Sequence, residues 1–402
     1  VSLPPAILAM LAPAPLAALG ALLCSGLLLT VDRRGHGPLY ALAPLVVLLP
    51  LAAAVAGRVP FTHTTVALLV ALVIAILARD RDELLQNECA IKLLWVMSAS
   101  LVLSGAGEEL LILVTGTPRV LEQWGVLAIG IDAPYLWSVA LPLSLLAGMV
   151  MLGGAPFNFW TADLLQGARP WAAPLAVAAL QVTGAAWIAH RLEGIEVLPA
   201  ANAICAGLLG VGAATALVVG AATLIVQRRP ERRVGTLVSL HGGLALALLL
   251  VGRRAGDPGW FAAWAAHQAL AITGASVLAR FLPVAAGPAD RGGALFRRHP
   301  WTGLAGWLAT ASLAGVPGTP GAWLWLRVAR ALATTGHLAL LLALVLAWLA
   351  AFAAVMRQAH EALGVHHTTP APARSVPWQA RLTLWITALG LLAQIALGWT
   401  KR

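Results

Sequence analysis

The sequence predicts an all-α polytopic membrane protein of about 12 transmembrane helices, built as two inverted five-helix repeats, each with a broken fourth helix. Three observations predict it. The 402 residues are 60% hydrophobic and only 10% charged, with a mean hydropathy of +0.86. Apolar stretches long enough to span a bilayer recur from one end to the other. Two of those stretches are interrupted by Gly/Pro clusters at corresponding places in the two halves, the pattern by which inverted-repeat membrane proteins announce themselves.

In chain order the apolar stretches fall at 5–30, 39–57, 62–78, 91–114, 135–153, 173–190, 200–226, 234–252, 259–282, 301–330, 337–356 and 378–398. The first has no basic segment ahead of it and is expected as a helix rather than a cleaved signal. The division that follows is an N-terminal helix at 1–37, a first repeat at 38–193, a second at 194–358, and a loop with a final helix at 359–402. An odd number of helices per unit inserts the second repeat upside down relative to the first.

The first interruption is Gly153-Gly154-Ala155-Pro156, running on into Phe157-Asn158-Phe159-Trp160-Thr161-Ala162-Asp163. Glycine weakens a helix, and proline removes an N–H and clashes with the preceding turn. Broken backbone at membrane depth is tolerated only where protein or a water-filled cavity covers it. The second interruption, about 160 residues on, is Ser312-Leu313-Ala314-Gly315-Val316-Pro317-Gly318-Thr319-Pro320-Gly321. Gly153, Gly154, Pro156, Pro317, Gly318, Pro320 and Gly321 are therefore the expected breakers.

The net charge of +10 comes almost wholly from arginine, since Lys92 and Lys401 are the only lysines. These arginines lie between apolar stretches, as orienting loop charges do, so nucleic-acid binding is excluded. The loops following odd-numbered helices hold the richer set, including Arg33, Arg34, Arg79, Arg81, Arg169 and the Arg228–Arg233 run; the even loops hold Arg58, Arg119, Arg191, Arg253 and Arg254. The richer side belongs in the cytoplasm, which puts both termini outside. Cys24, Cys89 and Cys205 show no metal or disulfide spacing. No dinucleotide motif follows a strand, so no cofactor, no metal and no catalytic centre are expected in this chain.

Gly-Ala-Pro-Phe-Asn-Phe-Trp-Thr-Ala-Asp-Leu-Leu-Gln-Gly-Ala, from Gly154, resembles the A-P-F-H-x-W-x-P-D-x-Y-x-G-A signature of the antiporter-like membrane subunits of proton-pumping NADH:quinone oxidoreductase (complex I), and is most similar to subunit N. Glu88 to Lys92 resembles that family's E-x-x-x-K. Arg232-Arg233-Val234 with Ser239-Leu240-His241-Gly242-Gly243 resembles K-R-x-x-A-Y-S-S-I-A-H-x-G, and Ser312–Gly321 resembles S-L-x-G-x-P-P-x-x-G. The likeness spans roughly 38–358. Subunit N usually carries further N-terminal helices, of which about two are expected to be absent.

The resemblance implies a multi-pass subunit of the bacterial inner membrane, lying among other membrane subunits and lipids, with redox cofactors only in partner chains. It also implies a central chain of buried ionisable residues that moves protons. Here the departures matter. The family's glutamate falls at Leu69, its lysines at Met151, Thr183 and Trp325, and the signature histidine at Asn158. Lys92, Glu88 and His241 remain as candidates for a proton path. Position alone lets Lys92 snorkel to the headgroups from one turn inside the boundary; the motif match gives the functional reading equal weight. Glu108 and Glu109 read as a solvated helix end, His267-Gln268 as an interhelical hydrogen bond, His366-His367 as a solvated loop, and Asp163 as a capping or loop-bonding group. Most of the 16 tryptophans fit an interfacial belt, whereas Trp323 and Trp325 fill the second broken helix.

The expected role is a membrane-arm subunit of a complex I-like assembly, with a degenerate proton path and a largely structural task. Two alternatives stand beside it: an active cation/proton antiporter-type subunit of a related hydrogenase or inorganic-carbon uptake complex, and a family member recruited as a structural subunit of an unrelated membrane complex.

Overall fold

The computed structural model describes residues 63–78, 84–129, 134–154, 156–169, 172–255, 259–282, 296, 299–363 and 376–395. The stretches expected at 5–30 and 39–57, the arginines of the first loops and His366-His367 lie outside the described residues. Within them every regular element is helical and none is a strand. In order these are α1 His63–Ala78, α2 Leu84–Thr115, α3 Val120–Ala128, α4 Pro134–Met151, α5 Phe159–Gly167, α6 Ala172–Arg191, α7 Pro199–Val226, α8 Pro230–Ala255, α9 Gly259–Ala279, α10 Pro300–Leu313, α11 Pro320–Thr334, α12 Leu338–Leu363 and α13 Trp378–Gln394, with a 3₁₀ turn at Ile195–Val197.

Prolines open α7, α10 and α11, where a missing N–H costs nothing. Among the described residues five helices are long and apolar enough to cross a membrane, and the protein is an integral, multi-pass membrane protein. Burial sorts those five. The spans of α6 and α8 are 94% buried, whereas those of α2, α7 and α12 are 39–44% buried. So α6 and α8 form the centre, and α2, α7 and α12 turn apolar faces outward, with Val102, Val211 and Leu346 exposed.

Lipid is as apolar as leucine, so close backbone approach has to supply the helix attraction. Gly148 of α4 and Gly184 of α6 face one another: a Cβ on Gly184 would lie 2.6 Å from the Gly148 carbonyl oxygen. A Cβ on Gly107 of α2 would meet the Ser144 nitrogen of α4 at 2.5 Å, and nearby Ser104 Oγ donates to the Ser144 carbonyl at 2.7 Å.

Three elements differ from the sequence expectation. The helix expected to begin at 91 begins at Leu84, which puts Glu88 and Lys92 inside a continuous helix. Neither α3 nor α5 was expected as a separate helix. Each has only nine residues, too few to span, and each mixes polar with apolar residues.

Candidate functional site

The helix preceding the first break stops at Met151. Leu152 and Gly153 then turn, with Gly153 at φ +67°, a conformation that disfavours any side chain. The Gly153 N–H donates back to the Val150 carbonyl at 3.0 Å. Trp160 Nε1 donates to the same Val150 carbonyl at 2.9 Å. The Leu152 carbonyl, released by the break, accepts Gln181 Nε2 from α6 at 2.8 Å, and the same nitrogen donates to the Val238 carbonyl of α8 at 2.9 Å. Every one of these partners is protein, as a broken helix away from water requires.

The second break is built on the same logic. Leu313 ends α10, Gly315 takes φ +69° and Gly318 φ +88°, and Thr319 caps α11 by accepting from the Ala322 N–H at 3.4 Å. Ser312 Oγ accepts the Gly321 N–H at 3.0 Å and lies 2.9 Å from His267 Nε2 of α9. His241 Nε2 of α8 lies 2.7 Å from the Leu313 carbonyl. A carbonyl only accepts, so His241 is the tautomer protonated at Nε2. Trp325 is fully buried, donates to that carbonyl at 3.4 Å, and stacks on Trp348 at 5.8 Å.

Helix α8 joins the two breaks at consecutive residues. His241 holds the Leu313 carbonyl, while a Cβ on Gly242 would come within 2.3 Å of the Leu152 carbonyl oxygen. The His241 and His267 rings stack with centroids 5.1 Å apart. Both Nδ1 atoms, the Gln268 amide and Thr183 Oγ1 are buried and have no hydrogen-bond partner among the described residues. Buried polar atoms of this kind are where internal water is held. Two residues before His241 on α8, Ser239 pairs its hydroxyl with that of Thr161 at 2.7 Å.

A separate ionic cluster lies at the start of α8. Lys92 Nζ lies 2.7 Å from Glu88 Oε1, one turn earlier on α2, and 3.2 Å from Asp163 Oδ2. Arg232 Nη1 of α8 lies 2.6 Å from Asp163 Oδ1 and 3.0 Å from Gln166 Oε1. Asp163 is thus no cap: it sits inside α5 and bridges α2 to α8, because the break has turned α5 across both. Lys92 and Glu88 keep side-chain exposures of 44% and 56%, whereas Asp163 keeps 17%.

The structure therefore separates the candidates into two places. Lys92 and Glu88 lie at the ionic cluster, and His241 lies at the junction of the breaks. Asp163 and Arg232 were missed as a pair, although each stood in one of two separate family motifs. Replacing Asp163 by Asn is expected to leave Arg232 without its counter-charge and Lys92 with Glu88 alone. With the partial exposure discounted, we expect a loss of about 1 kcal/mol, read as a lowered Tm of the detergent-purified chain. An unchanged Tm would show the three charges to be independently solvated.

Glu108 departs most from expectation. It is buried in α2 and ion-paired with Arg191, the last residue of α6, while neighbouring Glu109 is exposed. Arg191 also lies 5.2 Å from the Trp187 ring centroid and donates to Gln123 Oε1 of α3 at 3.4 Å.

No family model matches the chain. Over 322 residues it is 27% identical to NADH-quinone oxidoreductase subunit N of Herminiimonas arsenicoxydans, covering 77% of this chain and 64% of that protein. It thus spans less than two thirds of that relative's length. The fold superposes with a TM-score of 0.73 on a chain of respiratory complex I from Thermus thermophilus, at 21% identity, covering 95% of this chain and 83% of the other. It superposes at 0.71 on a chain of the membrane-bound sulfane sulfur reductase, an archaeal respiratory membrane complex, at 18% identity and covering 92% and 76%. In its ordered motifs, its sequence and its fold, the chain resembles the antiporter-like membrane subunits of complex I, and among them subunit N.

Proposed function

We propose that the chain is a membrane-arm subunit of a complex I-like assembly whose own proton path is degenerate and whose task is largely structural. The observation that carries the degenerate path is the burial of apolar groups where the family's ionisable residues would stand. Leu69 is 3% exposed, Met151 0% and Trp325 0%. Each is packed as core, and an indole donates one hydrogen bond without relaying a proton as a lysine does. Redox cofactors and quinone chemistry belong to partner chains, and lipids with other membrane subunits cover the outward faces.

The reading includes the inverted repeats at 38–193 and 194–358, supported by two breaks with matching positive-φ glycines, Gly153 and Gly315. It also includes a bacterial inner membrane with the N-terminus outside. The gathering of Arg228, Arg232, Arg233, Arg280 and Arg357 at one end of the bundle supports that sidedness: Arg280 Nη2 donates to the Ala168 carbonyl at 2.5 Å and Arg357 Nη2 to the Gln227 carbonyl at 2.6 Å.

The likeness to a chain of a sulfane sulfur reductase complex favours one second reading, a place in another respiratory membrane complex. Co-purification separates the two by whether quinone-reductase subunits or others come with the chain.

The test of the first is K92A in the intact assembly, with proton pumping measured beside assembly level. Pumping per assembled complex is expected to stay within about twofold of wild type, since the loss at a partly exposed ion cluster is small. A collapse of pumping at normal assembly would make Lys92 part of a working channel and overturn the structural reading.

A further inference from the structure

We propose that the turn between α7 and α8 holds the anionic headgroup of a membrane phospholipid, whose acyl chains lie along the outer face of α7. The turn consists of Gln227, Arg228 and Arg229. With Val226, Gln166 and Arg232 it lines an open depression of about 530 Å³. Arg228 and Arg229 are exposed, and Arg232 is half-buried, its Nη1 engaged with Asp163 and Gln166.

The backbone here is arranged for an anion. A helix C-terminus such as the end of α7 normally presents bare carbonyls and the negative end of its dipole, both repelling phosphate. Two of those carbonyls, and the Gln227 carbonyl just beyond, are occupied by one arginine. Arg357 of α12 donates to the carbonyls of Leu224 at 3.3 Å, Ile225 at 3.0 Å and Gln227 at 2.6 Å. Buried Arg233 donates its Nη2 to the Arg228 carbonyl at 3.3 Å and its backbone N–H to the Arg229 carbonyl at 3.0 Å. The next helix starts at once with Pro230, presenting the end of a helix that favours anions. Asp163 is shared between Lys92 and Arg232, and among the described residues of the turn half-buried Glu231 is the one carboxylate beside Arg228 and Arg229.

The level and the surroundings select a lipid over a free phosphate. The turn joins helices of 28 and 26 residues, about 42 and 39 Å long, against a hydrocarbon core of about 30 Å. It therefore stands at headgroup depth. Directly beside it an apolar lane descends into the bilayer: Val226 is 72% exposed, and Ile225, Val218 and Val211, seven residues apart on one face of α7, are 62%, 53% and 64% exposed. Arginine forks suit phosphate oxygens, and a lane of this kind suits acyl chains. The inference rests on the membrane reading alone and not on which complex the chain joins.

The test is native mass spectrometry of the delipidated full chain with phosphatidylglycerol, with phosphatidylcholine, and with inorganic phosphate as competitor. At about 1 kcal/mol for each arginine near the surface, R228Q/R229Q is expected to bind phosphatidylglycerol about thirtyfold more weakly, and R229Q alone about fivefold. The single variant keeps the test alive should the double variant fail to fold. Equal binding of the two lipids, undiminished binding by either variant, or full displacement by inorganic phosphate at equal concentration would each overturn the proposal.

Discussion

G321A is expected to abolish accumulation of the folded chain. A Cβ at this position would sit 1.6 Å from the Ser312 carbonyl oxygen and 2.6 Å from its carbon. Both are backbone atoms in the last turn of α10, so no rotamer change relieves the overlap; the two half-helices would have to part. Parting them also removes the Gly321 N–H to Ser312 Oγ bond at 3.0 Å and disturbs His267, whose Nε2 would lie 3.2 Å from the new carbon. Overpacking costs about 1–3 kcal/mol, and each buried polar group left unpaired adds about 1–3 more. The sum is a large share of the total stability of an ordinary domain. Immunoblotting with detergent size-exclusion chromatography reads the outcome beside G207A, where the added carbon meets nothing within 4 Å. We expect G207A to behave as wild type and G321A to be lost. A normal peak for G321A would show that α10 and α11 are not held in this register.

Both breaks were legible in the sequence because glycine and proline act locally: their effect on φ and on the i→i−4 bond needs no knowledge of neighbours. What each break leans on was not. Gln181 reaching the Leu152 carbonyl, His241 reaching Leu313 and Gly242 admitting the Leu152 oxygen are contacts across 29, 72 and 90 positions of chain. None leaves a local pattern beyond a polar residue in an apolar run. The ionic cluster lay between these cases. Glu88 and Lys92 are four apart on one helix and visible as a pair, but Asp163 joins them only because α5 folds back across α2. The short α3 and α5 escaped notice for the same reason that they cannot span: nine residues carry too little apolar periodicity to be read.

The junction on α8 also bears on the proposed loss of a proton path. His241 and His267 are the titratable groups at the centre, stacked on one another and each committed through Nε2 to the second break. Taking the proton from His241 Nε2 would leave the Leu313 carbonyl with only the longer 3.4 Å bond from Trp325 Nε1, at a cost of about 1 kcal/mol. The two histidines thus act as struts. This bracing of the second break by His241 and His267 is what supports the proposed structural role.

Neutralising one member of the Glu108–Arg191 pair is expected to destabilise the chain by about 3–5 kcal/mol, and neutralising both to restore most of that loss. Glu108 is 9% exposed and Arg191 5%. The pair ties the later part of α2 to the end of α6. Gln123 and Trp187 enclose the guanidinium, and the Trp124 indole donates to the Glu193 carbonyl at 2.9 Å just beyond. The sequence placed both charges in water because each stands near the end of an apolar run. It could not show that α3 and the 3₁₀ turn at Ile195–Val197 close over them. R191Q leaves a carboxylate in an enclosed site with no counter-charge, and E108Q leaves a guanidinium with only a glutamine and an indole face. The double variant E108Q/R191Q leaves two neutral amides that can bond each other. Thermal melts of the four proteins in one detergent close the double-mutant cycle. A coupling of 2 kcal/mol or more is about the size expected of a desolvated pair; losses that simply add would show that water reaches both groups and that the enclosure by α3 is open in solution.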